Sequence, residues 1–171
     1  MPKTLADGRI ALIALTVKPA DPEAITESVL NAARATGDLS CRILKSDYRL
    51  SPTASDTLQE AELCATGNAT SFCASNYEGS LTPFRYLDED GQADGANDIG
   101  WTLLKEKGTT LWLVEREGPE YDVPFAAGDD YEIYEVVTDE PQKPSDRSGF
   151  IKRIVPLGVQ RKWNGVVAAG A

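Results

Sequence analysis

Apolar residues recur along this chain mostly in short, dense runs separated by polar and Gly/Pro-bearing stretches, the pattern of a β-rich fold rather than of a helical bundle. The strongest block spans residues 128–160. It predicts a strand over 131–138, a crossover over 139–146 that carries Pro141 and Pro144, and a second strand over 149–160. Both strands are rich in Tyr, Ile, Val and Phe, side chains that fit a pleated, half-buried surface, so they are expected at the centre of a sheet. Their alternation is mixed: Tyr131, Ile133 and Val137 share a face with Glu135, and Tyr134 and Val136 share the other with Glu132. Neither face is purely core, which suits a subunit that buries one side internally and offers the other to an assembly.

Upstream, residues 9–17 read as a buried strand. Asp21, Pro22 and Glu23 then predict a helix start, with Asp21 as the cap and Pro22 at the first helical position. That helix is expected to reach about Ala35 and to lay Ile25, Val29, Ala32 and Ala33 on a sheet. Residues 39–44 alternate Leu39, Cys41 and Ile43 against Ser40 and Arg42, a second strand. From 46 to 67 the chain is polar, carries Pro52 and shows no sustained period, so it is expected as a protruding arm with Leu50, Leu58 and Leu63 as apolar anchors. Strand character returns over 68–87, a short helix led by Asp98 is expected over 96–107 with Ala96, Ile99, Gly100 and Leu103 inward, and 109–117 is a further strand. Residues 161–171, with Arg161, Lys162 and Trp163 before small residues, read as a partly extended C-terminal arm. The expected architecture is one mainly β domain over 1–171, a β-sandwich or curved antiparallel sheets with a flanking α-helix and a second short helix.

Charge narrows the function classes. Seventeen Lys and Arg against 27 Asp and Glu leave a net charge of −10, a field that repels nucleic acid on average. The chain has no histidine, which excludes a histidine general base, a histidine-containing triad and histidine ligation of zinc or haem. Cys41, Cys64 and Cys73 show no C-x-x-C spacing and read as small buried thiols of a reducing compartment. Lys3 and Arg9 before the apolar run imitate a short signal peptide, but Asp7, Lys18 and Asp21 and the lack of an A-x-A pattern favour a strand. The sequon at Asn68 is then a chance match.

Candidate chemistry is sparse. Asp88, Asp90 and Asp94 could offer oxygens to calcium, although the loop lacks the full D-x-[DN]-x-[DN]-G run and its closing glutamate. Glu115 with Glu117, or Glu132 with Glu135, could be imagined as a hydrolytic pair in a chain where carboxylates are abundant. G-x-S-x-G, P-loop and G-x-G-x-x-G motifs are absent. Trp112, Tyr131, Tyr134 and Phe150 read as core rather than as a base-stacking platform. The residues therefore point to no catalytic, metal or cofactor site, and to an assembly protein with an arm and an acidic surface.

Several phrases carry a family resemblance: residues 74–86 (ASNYEGSLTPFRY), 107–114 (KGTTLWLV), 127–136 (AGDDYEIYEV), and the closing Pro144-Ser145-Asp146-Arg147, Gly149-Phe150-Ile151-Lys152-Arg153 and Val155-Pro156-Leu157. In this order they resemble the major tail protein, or tail tube protein, of long-tailed, non-contractile phages of actinobacteria, over residues 46–167. The resemblance implies a tail-tube fold whose inner strands join those of neighbours into a hexameric ring with a β-barrel lumen. Rings would stack into a tube around the tape-measure protein, meet the tail terminator and tail-tip proteins, and conduct the genome without binding it specifically. It implies no cofactor, metal or membrane partner, and a place in the virion tail after assembly in the host cytoplasm. It also implies that the long early loop reaches a neighbouring subunit or ring, which makes Leu50, Leu58 and Leu63, with Trp163 on the C-terminal arm, the expected interface residues. The alternatives are another ring-forming tail or injection-system component, such as a terminator or hub, or a calcium-binding or carboxylate-enzyme domain.

Overall fold

The computed structural model describes residues 5–170, and Lys3 and Ala171 lie outside them. In chain order it forms β1 (Ile10–Leu15), α1 (Glu27–Gly37), β2 (Arg49–Thr53), β3 (Thr57–Glu60), β4 (Ala69–Phe72), β5 (Asn76–Leu81), α2 (Ile99–Leu104), β6 (Thr110–Glu117), β7 (Asp130–Thr138) and β8 (Val155–Val166). The expected mainly β class with a flanking and a short second helix is what folds. An antiparallel sheet runs in the order β1-β6-β7-β8-β5-β2, and β3 and β4 make a separate two-stranded sheet.

The central strands are covered on both faces. On one, Leu12, Leu113, Tyr134 and Val136 meet Leu39, Leu50, Leu81 and Leu104. On the other, Ile13, Trp112, Val114 and Ile133 meet Leu30 of α1 and Phe125. A strand buried twice reads as a nearly continuous apolar run, as residues 111–114 do. Each fully buried Leu or Ile contributes roughly 1.5–3 kcal/mol through removal from water. Residues 131–137 bury both faces in their own subunit, Tyr131 and Ile133 toward α1 and Tyr134 and Val136 away from it, rather than offering one of them to an assembly.

Two glycines permit close approaches. The β2–β5 ribbon pairs with β8 at Ser80 and Leu81 and then crosses over the sheet, where a Cβ on Gly79 would lie 2.9 Å from the Leu157 Cβ. At Gly165 a Cβ would stand 2.3 Å from the ring of Tyr131, which lies directly across this position and reaches over it. The Tyr131 hydroxyl accepts from the Ile25 N–H at 2.9 Å and donates to the Pro22 carbonyl at 2.8 Å, tying the segment before α1 to the sheet.

Several elements differ from the sequence expectation, each because backbone groups find other partners. The helix begins at Glu27 rather than Pro22: Asp21 accepts from the Glu23 N–H in a turn, and residues 23–26 run beside the end of β8, where the backbone exchanges bonds with Val166 and Ala168 up to the Glu27 N–H. Its buried residues are Leu30 and Gly37, while Val29 faces solvent. Residues 39–44 form no strand. They cap the edge of β1, where the Leu39 N–H donates to the Leu12 carbonyl and Ser40 Oγ accepts from the Leu12 N–H, and then bridge to Pro83. Asp98 does not cap α2 through its side chain. It is buried and ion-paired with Arg85 at 2.9 Å, and it accepts from the Tyr86 N–H. All three cysteines, expected to be buried, are exposed: Cys41 in a turn, Cys64 and Cys73 in the segment around β3 and β4.

The last strand is shifted. It spans Val155–Val166 rather than 149–160, so Arg161, Lys162 and Trp163, expected on a projecting arm, complete a central strand opposite β7. Residues 167 and 168 remain tied to Asp129 and Ile25. The extended, partly polar character of 161–166 comes from one open edge and one half-covered face. Phe150, expected in the core, precedes this strand and is 80% exposed, touching Phe84 edge-on at 5.9 Å.

Candidate assembly surfaces

One long side of β8 carries pairing partners only in part. β7 pairs along Leu157–Val166, whereas β5 reaches only Val155 and Pro156 on the opposite side. At the far end the Val166 N–H, on the side away from β7, donates to Glu23, while the Val167 N–H donates toward β7 to Asp129. Strand alternation then places the N–H groups of Lys162 and Asn164 on the open side. Among the described residues no strand pairs with this stretch. Such a row of unpaired donors and acceptors is a template for another chain. The β7–β8 register also shifts at Glu135/Val136, leaving Gln160 as the extra residue of a bulge that strengthens the local twist.

The expected arm of residues 46–67 is ordered. Its first part is β2, which pairs with β5, and its remainder forms with residues 68–73 a hairpin in which Thr57–Glu60 pair with Ala69–Phe72. Every residue of β3 and β4 is exposed. Leu58 is 50% exposed, Leu63 fully so, and Phe72 stands out as well. Leu50 separates from them: at 5% exposure it anchors the ribbon to its own subunit beside Leu81 and Leu12. Trp163 is half-buried on the α1 face, against the cluster that holds Ile133.

Strand register also assembles a group that spacing along the chain hides. Glu115 stands directly opposite Glu132 on neighbouring strands, and Glu117 shares their face, whereas Glu135 points to the other side. With Glu78 and Asp130 these carboxylates line a cleft of about 910 Å³ between the sheet and the β2–β5 ribbon. Like charges directly opposed across strands destabilise. Glu132 is compensated: Lys162 donates to it at 2.5 Å and the Tyr134 hydroxyl at 2.5 Å, and these bonds outweigh burial and hold its carboxyl below the usual range. The Tyr134 phenol is pushed up by burial and by that carboxylate. Glu115 is only 9% exposed and receives one hydrogen bond, from the Tyr48 hydroxyl. Burial first, then Glu117 and Glu132, push its pKa up to about 7, with Lys162 opposing. Among the described residues it has no ion-pair partner.

The acidic loop behaves as turns. Asp88 Oδ1 accepts from the N–H groups of Asp90 and Gln92, and Asp94 accepts from Ala96 N–H and Asn97 Nδ2. Among the described residues no group of three or more His, Cys, Asp or Glu is placed to hold a metal ion. None of their helices is long and apolar enough to cross a membrane.

A charged residue that periodicity had no means of placing organises the far side. Arg116 is fully buried in β6, pairs with Asp129 at 2.9 Å, donates to the carbonyls of Glu120, Val123 and Pro124, and lies 4.5 Å over the Phe125 ring. Its only sequence signal is an arginine inside a strand-forming run.

A family model described as phage tail tube protein matches residues 1–171. Among solved structures, the chain is similar to one in the 6-fold symmetrised cryo-EM structure of the anti-feeding prophage (AFP) baseplate. The identity is 15% and the TM-score 0.49, over 96% of this chain and 97% of that one. No curated protein matches.

Proposed function

Because the chain belongs to the phage tail tube protein family, we propose that it polymerises as hexameric rings that stack into the tail tube of a long-tailed, non-contractile phage, the conduit through which the genome leaves the virion. The observation that carries this reading is the open side of β8. A strand from a neighbouring copy laid along Lys162 and Asn164 satisfies donors and acceptors that a lone subunit leaves to water, and repetition around a ring removes every such edge. The β3–β4 hairpin is the second contact: Leu58, Leu63 and Phe72 find cover on the next subunit or ring. The net charge of −10 suits a conduit, since a cationic lining would add phosphate contacts that must be broken as DNA passes. The tape-measure protein, the terminator and the tail-tip proteins are the further partners of this reading.

Negative-stain microscopy of the concentrated, purified protein tests it. Open tubes of stacked rings are expected, and closed single rings or dispersed subunits would overturn the tube assignment. Asn164→Pro removes one donor from the open side of β8 without touching the β7 ladder, so a folded protein that forms no tubes is expected. Replacing residues 57–72 by an Asn-Gly turn between Asp56 and Cys73, which already exchange backbone bonds with their surroundings at 2.7 and 2.9 Å, is expected to leave a folded subunit unable to form tubes.

A further inference from the structure

The two ends of the β7–β8 pair carry opposite charge. At the end where β7 begins lies the carboxylate cleft, lined by Glu78, Glu115, Glu117, Asp130 and Glu132 with Arg49 as the cation in its wall. Arg49 is drawn to Glu78 at 3.6 Å and Lys162 to Glu132, so Glu115, Glu117 and Asp130 are left without a cation among the described residues. At the other end, the crossover between β7 and β8 forms a concavity of about 230 Å³ lined by Lys143, Arg147, Lys152 and Arg153 together with Phe150 and Ile151, and no carboxylate lines it. None of these four cations has an ion-pair partner among the described residues. Phe150 and Ile151 are exposed beside them. The nine residues of β7 separate the two ends by roughly 30 Å.

We propose that copies of this chain join head to tail through these ends: the basic, aromatic 143–153 segment of one copy docks in the carboxylate cleft of the next and supplies the cation that Glu115 lacks. A buried carboxylate without a counter-charge is costly and is relieved when an interface brings one. The cleft is large enough for a long cationic side chain with an aromatic beside it, and Phe150 and Ile151 would cover the apolar wall made by Ile10, Pro52 and Val166. Because donor and acceptor surfaces lie at opposite ends of one subunit, the contact is heterologous and can repeat without limit, as a polymer requires. The proposal rests on the self-assembly reading above and adds to it which surfaces meet.

A pH dependence follows. The charged and titratable groups facing Glu115 are Glu117 on its own strand, Glu132 and Tyr134 on β7, Lys162 on β8, and Tyr48, with Arg49 and Glu78 on the ribbon. In the free subunit burial, then Glu117 and Glu132, keep the Glu115 carboxyl high against the opposing Lys162, and a docked cation lowers it, so docking releases a proton. Head-to-tail association therefore strengthens as pH rises through about 7 and levels off above it.

Charge exchange in the full chain tests the pairing, read by sedimentation velocity and microscopy at pH 8. Glu117 and Arg147 are both exposed, so Glu117→Lys and Arg147→Glu are expected to stay folded, as circular dichroism would verify. Each alone should weaken self-association by at least about tenfold, the low end for close interfacial charge pairs. Mixing the two variants should restore it, because each then offers the complement of the other. Glu115→Gln should associate to the same degree at pH 6 and pH 8. Association of both single variants at the level of the native protein, or no restoration on mixing folded variants, would overturn the head-to-tail pairing while leaving the tube reading intact. A native protein that stays dispersed at every concentration would overturn both.

Discussion

β7 and β3 are both strands in antiparallel ladders, yet β7 lies under two layers of side chains while β3 has none over it. Ile133 and Tyr134, adjacent in β7, are buried on opposite faces; Leu58 and Gln59, adjacent in β3, are both in solvent. Backbone pairing is the same in kind in the two places. What differs is apolar area removed from water, and a two-stranded ribbon without such area is marginal by itself. In the centre, the sheet uses its side chains to hold one subunit together. In the hairpin, the apolar side chains of Leu58, Leu63 and Phe72 stay in solvent and hold nothing within the subunit.

The contrast breaks most sharply from the centre. Arg116→Ala removes one donor from each of three carbonyls and the ion pair to Asp129 and opens space under Phe125, so a loss of about 3–5 kcal/mol is expected in urea denaturation of the dilute subunit. Glu115 tests the boundary where the covered face gives way to the cleft. Its pKa is raised on folding, so the stability of its protonated form is whole below about 4.5 and is lost as pH rises through about 7. Glu115→Gln should therefore be more stable than the native protein by about 3 kcal/mol at pH 8 and show a much smaller difference at pH 5. Gly165→Ala forces the Tyr131 ring from its seat and should cost about 1–3 kcal/mol, with loss of protection at the Ile25 amide in hydrogen exchange. At the other extreme, Leu63→Ser should change subunit stability by less than about 0.5 kcal/mol. If it nonetheless abolishes tubes, the division between holding the subunit and holding the assembly is sharpened; a large stability loss would erase it.

The residues show where local reading suffices. The dense runs at 10–15, 111–114 and 131–137 declare themselves as strands because burial on both faces demands apolar side chains at consecutive positions. The signals at Asp21-Pro22, a cap and a proline, serve a turn as well as a helix start, and the pairing of Ile25 with Ala168 that delays α1 joins positions far apart in the chain. Leu50 and Leu58 are alike in a polar neighbourhood, and only the fold of the ribbon sends one into the core and the other outward. The carboxylate group was half legible. Glu115 and Glu117 are neighbours by period two, but their meeting with Glu132, and the separation of Glu135, follow from the β6–β7 register.

The sequence by itself determined the mainly β class, the central strands, the lack of histidine chemistry and the acid excess, because these rest on composition and on periodicities that each strand expresses locally. The tertiary structure alone decided which side of β8 stays open, which carboxylate is buried without a cation, and that acidic and basic surfaces sit at opposite ends of one strand pair. Those are properties of long-range register and layer packing, where residues far apart in the chain set each other's solvent, partners and charge.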